Sequence, residues 1–458
     1  MNTLIYVSCL GFFCMIAEIL NQRKLIIPVL VLALAVIFGL NLSDWNHGQT
    51  YFNNMVQVDN FSVAFSGLAI FITLLLFILA SEFYAASDTH ISDYSAIIIF
   101  ILCGALMMFN FNNLAMLFIG IETLSISLYV MAGSRRFEVK SNEAGFKYFL
   151  MGSFMSGFLL FGIALIYGAS GTFYLDKIYQ YTQTNSAILP VTFHVGAVLI
   201  VFAMLFKTSS APFHFWAPDV YEGSPTLITA MMSTLVKVAA FAAFYRLISH
   251  TFLYVFPSVE TVIAISAVLT VSIGNFIALN QTNFKRLLAY SGISHAGYLL
   301  LAIISLRGNT ESSLLYYAVG YSVSTLAAFS VAMLVFKAAG NENIDALNGL
   351  GKKNPLMAAT LTMAMLSLAG IPPFAGFFGK YYIFSEAMKN GYFYLVLVAI
   401  INSIIGVFYY FKPILAMYGQ PANEIEVKTN YANNLVLWVC LALSLALGLF
   451  PDLIVGLL

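Results

Sequence analysis

Fourteen apolar runs, each near the ~20 residues that an α-helix needs to cross a bilayer, follow one another along this 458-residue chain. They fall at 3–20, 25–42, 61–82, 94–109, 112–132, 144–168, 190–212, 226–248, 259–279, 287–306, 313–337, 355–388 with an internal break, 393–418 and 431–450. In hydrocarbon each segment must satisfy its own backbone N–H and C=O groups, so each run is expected as a helix. Composition agrees: 61% of residues are hydrophobic and 9% are charged, against about 25% charged in soluble domains. An all-α membrane protein of about fourteen spans follows.

The same pattern excludes several function classes. Basic and acidic residues number 20 each, so net charge points to no nucleic acid or acidic partner. The longest outer segments lie near 43–60 and 169–189 and the longest inner one at 338–354, too short for a soluble catalytic domain. Glycine-rich phosphate loops are absent. Cys9, Cys14, Cys103 and Cys440 sit in apolar runs without metal-ligand spacing and read as small buried hydrophobes. The first run lacks a basic leader and a small-residue cleavage site, so it is expected to remain as a span.

Orientation follows from the basic residues between runs. Loops after odd-numbered runs hold or adjoin Arg23, Lys24, Arg135, Arg136, Lys140, Lys285, Arg286, Lys352, Lys353, Lys412 and Lys428, whereas the opposite side holds Lys177, Arg246, Arg307 and Lys389. The odd loops are therefore expected in the cytoplasm and both termini outside.

Two runs are interrupted. One reads Ser209-Ser210-Ala211-Pro212-Phe213-His214-Phe215-Trp216 and the other Ala369-Gly370-Ile371-Pro372-Pro373-Phe374-Ala375-Gly376. Proline removes a backbone donor and clashes with the preceding turn. Inside a bilayer such a break survives only where protein or water covers the freed groups. The shared Pro-Phe pair recurs 161 residues apart, in the seventh and twelfth runs. That is a separation of five spans, so two inverted five-helix repeats with broken helices 7 and 12 are expected, a pattern that marks transport sites. The corresponding divisions are 1–93, 94–250, 251–420 and 421–458.

Five lysines lie within apolar runs: Lys147, Lys207, Lys237, Lys337 and Lys380. A cation at the bilayer centre costs roughly 2.5–3.5 kcal/mol on insertion scales. It persists only beside a partner, water or a task. Lys207 precedes the first break, Lys237 sits mid-run, and Lys380 follows the second break. Glu122 lies in the middle of an apolar run, where a carboxylate calls for a lysine on a neighbouring helix. Lys147 stands one turn after Glu143 and reads by spacing as an interfacial i,i+4 pair. Lys337, at the end of its run, reads as a side chain reaching for the interface. His214 lies in the first break, and His295 between Ser294 and Tyr298; lone histidines of this kind are more often structural, though both stand where they can link lysines through water. Protons are the favoured cargo, because an ammonium in water holds its proton to a pH near 10.4, and burial and a nearby carboxylate act on that hold in opposite directions. No group in the chain can supply the ~2.3 kcal/mol needed per charge per 100 mV, so the energy is expected from partner subunits.

Five stretches carry a resemblance that covers essentially the whole chain: Phe118–Gly133 (FIGIETLSISLYVMAG), Phe206–Thr226 (FKTSSAPFHFWAPDVYEGSPT), Ser233–Phe241 (STLVKVAAF), Lys285–Leu300 (KRLLAYSGISHAGYLL) and Leu366–Tyr382 (LSLAGIPPFAGFFGKYY). Together they resemble the antiporter-like membrane subunits of proton-pumping NADH:quinone oxidoreductase, respiratory complex I, with PDVYEGSPT closest to the N type. The resemblance implies a proton-translocation set of Glu122, Lys147, Lys207, His214, Lys237, His295 and Lys380. Here Glu122 and Lys207 would form the fifth- and seventh-span pair, Lys237 would connect, and Lys380 would face the outer exit. It raises Lys147, in FKYFLMG, above its reading by spacing. It also implies M-type and small K/J-type membrane neighbours, and FMN, iron–sulfur clusters and quinone in partner chains with no cofactor in this one. A bacterial inner membrane is the implied location. Mrp-type cation/proton antiporters and membrane-bound hydrogenase subunits are the alternatives.

Overall fold

The computed structural model describes residues 2–83, 90–186, 188–306, 308–419, 427 and 429–458; Arg307 and Lys428 lie outside them. Among the described residues, twelve helices are long and apolar enough to cross a membrane. The expected count of fourteen differs because the seventh and twelfth runs are split. Val191–Lys207 ends before a non-helical stretch that leads to Trp216–Gly223, and Pro355–Ala369 ends before one that leads to Ala375–Lys389. Both breaks contain a cis peptide bond, at Ala211-Pro212 and at Pro372-Pro373. The eighth run is not a plain helix either. It comprises Thr226–Met231, a π-turn at Met232–Val236, and Lys237–His250.

Two of the segments expected outside contain regular structure. Gln49–Tyr51 pairs antiparallel with Val56–Val58, a small departure from an all-helical chain. Leu175–Thr184 forms a short helix too polar to cross a membrane.

Asparagine starts four of the long helices. The side chains of Asn113, Asn283, Asn354 and Asn430 accept from the backbone N–H of Ala115, Arg286, Met357 and Asn433 at 2.9, 3.0, 3.2 and 2.7 Å. Each satisfies one of the donors left free at a helix start. The tight turn at Asn110–Asn113 is also anchored: Asn112 donates from its backbone to Met55 O at 2.9 Å and from its side chain to Asp176 Oδ2 at 3.1 Å.

The chain divides into two compact units. The first comprises Met1–Trp216 and Leu235–Ile265, the second Ala217–Thr234 and Ser266–Leu458. In the first unit, the helices Ile91–Asn110 and Leu114–Ala132 meet closely at Gly104, where a Cβ would lie 2.6 Å from Leu124 N and 2.8 Å from Gly120 O. Small residues at such crossings let backbones approach where hydrocarbon offers no hydrophobic drive. That contact seats the helix bearing Glu122. In the second unit, Phe284–Ile304 and Thr310–Ala339 are almost wholly buried and form the core on which the second broken helix rests.

Candidate proton-translocation site

Three of the five intramembrane lysines are buried: Lys207 at 8%, Lys237 at 3% and Lys380 at 6% exposure. The other two are not. Lys337 is exposed at the end of its helix, as its position in the run predicts. Lys147 is 39% exposed and pairs with Glu143 at 2.5 Å, one turn earlier on its own helix. The reading by spacing therefore describes Lys147 better than a place among the buried lysines does.

In the first unit the break is closed residue by residue. Thr208 N donates to Met204 O at 3.0 Å, Ser209 N to Phe206 O at 2.9 Å and Ser210 N to Leu205 O at 2.8 Å. The Thr208 hydroxyl bonds Met204 O and Leu205 O at 3.0 Å each. Ser209 takes a left-handed φ of 56°. Trp216, at the far side of the break, donates its indole N–H to Phe206 O at 3.2 Å. Carbonyls that a proline break leaves open are thus covered by side chains, as hydrocarbon demands. His214 is buried within this loop, and its Nδ1 makes no hydrogen bond among the described residues.

Lys207 ends the helix before the break. Its Nζ donates to Ser125 Oγ, and Ser125 Oγ donates in turn to Ile121 O. The rings of Tyr129 and Tyr148 flank the ammonium at 5.8 and 5.9 Å to their centroids, within the range of cation–π attraction. Tyr148 stacks on Trp216 at 4.5 Å and 8°, which ties this pocket to the closure of the break. Glu122 is on the same helix as Ser125, one turn earlier, and accepts from Ser156 Oγ. The two charges expected to pair therefore do not touch. A serine holds each, and Ser125 places the ammonium one turn from the carboxylate.

Lys237 begins the helix that follows the π-turn. Ser233 and Thr234 bond back to Thr229 O and Ala230 O at 2.8 and 2.7 Å, so hydroxyls cover carbonyls where the turn widens. π-Bulges of this kind are frequent at functional positions.

In the second unit Lys380 lies six residues into the helix after its break. Its Nζ donates to Ala369 O at 2.7 Å and to Ser403 Oγ at 2.9 Å, and sits 5.1 Å from the Tyr298 ring centroid. Ala369 is the last residue of the preceding half-helix, whose carbonyl end carries partial negative charge and favours a cation. Gly370 makes that reach possible. Its φ is +86°, and a Cβ there would fall 2.9 Å from Lys380 Cδ and 3.1 Å from Nζ. A cavity of about 610 Å³ opens beside Lys380, lined mainly by apolar side chains of Ala375–Lys389 and Phe393–Gly419. His295 is held at both ring nitrogens, Nδ1 to Tyr317 OH at 2.6 Å and Nε2 to Tyr410 OH at 3.0 Å.

Sequence reasoning missed the hydroxyl partners, Ser125, Ser156, Ser403, Tyr298, Tyr317 and Tyr410. The only signal was their abundance within apolar runs, which does not say which of them face a lysine. Several basic residues that adjoin loops are also ion-pair members, two of them buried. Arg246, 4% exposed, meets both carboxylate oxygens of Asp59 at 2.6 Å. Lys285 bonds Ser224 O at 2.8 Å and Glu342 at 2.7 Å, and Arg286 bridges Asp219 and Glu222 at 2.8 and 3.0 Å. The last two clamp the short helix after the first break onto the helix that carries His295.

Comparison with known proteins agrees with this architecture. Residues 111–406 match the family described as NADH:quinone oxidoreductase/Mrp antiporter, TM. The chain is 49% identical, over 100% of both sequences, to NADH-quinone oxidoreductase subunit N of Flavobacterium psychrophilum. Among solved structures it is similar to a chain of respiratory complex I from Thermus thermophilus with bound aureothin, with a TM-score of 0.86, 30% identity, and coverage of 99% of this chain and 98% of that one. It is also similar to a chain of the membrane-bound sulfane sulfur reductase, an archaeal respiratory membrane complex, with a TM-score of 0.88, 25% identity, and coverage of 99% and 95%. With its buried lysines beside two broken helices, the chain belongs to the NADH:quinone oxidoreductase/Mrp antiporter membrane family, and within it to the NADH-quinone oxidoreductase subunit N branch.

Proposed function

We propose that this chain carries protons across a bacterial inner membrane as a subunit of NADH:quinone oxidoreductase, with both termini on the periplasmic side. Flanking helices (1–93) precede two five-helix repeats (94–250 and 251–420) and a terminal helix (421–458). M-type and K/J-type membrane subunits are its neighbours. FMN, iron–sulfur clusters and quinone belong to partner chains, and quinone reduction there provides the energy.

The observation that carries this reading is the burial of Lys207 and Lys380 beside half-helix ends, each held by a neutral hydroxyl, with two tyrosine rings beside Lys207 and one beside Lys380. Hydroxyl and carbonyl acceptors stand where an ion pair would otherwise lock each ammonium, which suits groups that pass protons to their neighbours. Glu122, one turn from the Ser125 that holds Lys207, supplies the field that a shift of its helix would strengthen or weaken. Lys237 and His295 are the connecting groups, and His214 serves the first break. Lys147 acts from the surface through Glu143.

Two substitutions in the assembled complex test this. In sealed vesicles, Lys207→Ala and Glu122→Ala should retain NADH oxidation and assembly while proton pumping falls. Parental pumping in both would overturn the relay. Sodium-driven proton flux by the chain alone would favour the Mrp-type antiporter reading instead.

A further inference from the structure

Asn275 joins two hydroxyl clusters in the second unit, and its chemistry keeps them apart. On one side is Tyr409, whose OH lies 3.0 Å from Asn275 Oδ1 and 3.5 Å from Ser294 Oγ, beside the Tyr410–Ser291–His295 group. On the other side is Tyr298, whose OH lies 3.1 Å from Asn275 Nδ2 and whose ring faces the ammonium of Lys380.

The orientation of this amide is fixed. Asn275 Nδ2 also lies 2.8 Å from Val271 O. A backbone carbonyl can only accept, so the NH₂ end must face it and the flipped amide is excluded. Both N–H donors are then used, one on Val271 O and one on the Tyr298 hydroxyl. The remaining oxygen can only accept, so Tyr409 must donate to it. Asn275 is 1% exposed, so its amide is shielded from bulk solvent.

Such an arrangement cannot relay a proton as a hydroxyl does. A hydroxyl takes a proton on its oxygen and gives up its own from the same atom, and its hydrogen bonds then reverse. An amide must gain a proton on oxygen and lose one from nitrogen, which leaves the high-energy imidic acid, and the bond to Val271 O opposes any reversal. We propose that Asn275 is an insulating positioning residue that holds Tyr409 and Tyr298 in one network and blocks proton passage through its own amide, so that transfer between His295 and Lys380 must run by another route. This rests on the proton-carrying reading above. It adds that coupling needs a barrier inside the second unit as well as carriers.

The test uses the intact complex in proteoliposomes supplied with NADH and quinone. Asn275→Asp places a carboxyl, which takes a proton on one oxygen and releases one from the other, where the amide stood. It should keep NADH oxidation, lower the protons moved per NADH, and speed the decay of an imposed pH gradient several-fold. Asn275→Leu removes the hydrogen bonds without adding a titratable group and should leave that decay at the parental rate. Tyr409→Phe, in which Asn275 itself is intact, should leave protons per NADH unchanged. Parental decay in Asn275→Asp, decay in Asn275→Leu as fast as in Asn275→Asp, or a lowered ratio in Tyr409→Phe would each overturn the barrier. Lys380→Met tests the underlying reading separately: parental pumping there would remove Lys380 as a carrier, whereas the gradient decay reports on Asn275 without electron transfer.

Discussion

Lys207 donates to Ser125 Oγ, one helical turn beyond Glu122 and on the same helix as that carboxylate. The serine is therefore the group through which the ammonium of one helix meets the acidic helix beside it. It is neutral, so it holds the charge without cancelling it.

Removing that acceptor isolates the ammonium. Hydrogen bonds to charged groups contribute about 1.5–3 kcal/mol, and 1.4 kcal/mol corresponds to about tenfold in a rate. Ser125→Ala should thus slow proton pumping by about one to two orders of magnitude while NADH oxidation continues. Ser125→Thr, which keeps a hydroxyl, should restore most of it. A fluorescent ΔpH dye in inverted vesicles measures both. An effect in Ser125→Ala no larger than in Ser125→Thr would refute the role.

Gly370→Ala places a methyl group 2.9 Å from Lys380 Cδ at a φ of +86°. The left-handed backbone alone costs an L-residue roughly 1–2 kcal/mol, and the clash pushes Lys380 off Ala369 O. Pumping should fall toward the level of Lys380→Met, with the subunit still present in purified complex. Parental pumping in Gly370→Ala would show that the bond to Ala369 O is dispensable.

Arg246 and Asp59 form an ion pair of the first unit, with 4% and 30% of their side chains exposed. Removing one partner of a fully buried pair costs about 3–5 kcal/mol, and the partial exposure of Asp59 sets the expectation at the lower end. Arg246→Met and Asp59→Asn should each lower the temperature at which the subunit dissociates from solubilised complex. The double variant should lose less than the sum of the two. Additive losses would mean that the pair is not coupled.

Lys147 gives the contrast. An exposed i,i+4 pair is worth about 0.3–0.5 kcal/mol, so Lys147→Ala should leave stability nearly unchanged. It should depress pumping far less than Lys207→Ala does in the same vesicles. Equal loss in the two would give Lys147 a part in the relay equal to that of Lys207.

Much of this site was legible beforehand because hydrocarbon leaves a charge so few options. Lys207, Lys237 and Lys380 stood out by their depth in apolar runs, and the prolines at 212, 372 and 373 marked the breaks. Ser125, Ser403 and Tyr298 did not stand out. A hydroxyl in a membrane helix can bond its own backbone one turn back, as Thr73 does to Ala69 O at 2.8 Å, and sequence does not separate that use from contact with a distant lysine. The partners of Lys285 and Arg286 are hidden in the sequence for a related reason. At the end of a run a cation reads as a solvated loop charge until the folded chain brings Glu342, Asp219 and Glu222 against it.

From the sequence alone came the helical spans, their interruption at two matched places and the short set of charges that hydrocarbon cannot tolerate unsupported. All of these follow from composition and local backbone chemistry, which act along the chain. What each buried charge touches was decided only by tertiary structure. Hydrogen bonds act over about 3 Å between helices far apart in sequence, and the crossing of two helices at a glycine, or the side on which a serine emerges, settles whether a lysine meets a carboxylate, a hydroxyl or the surface.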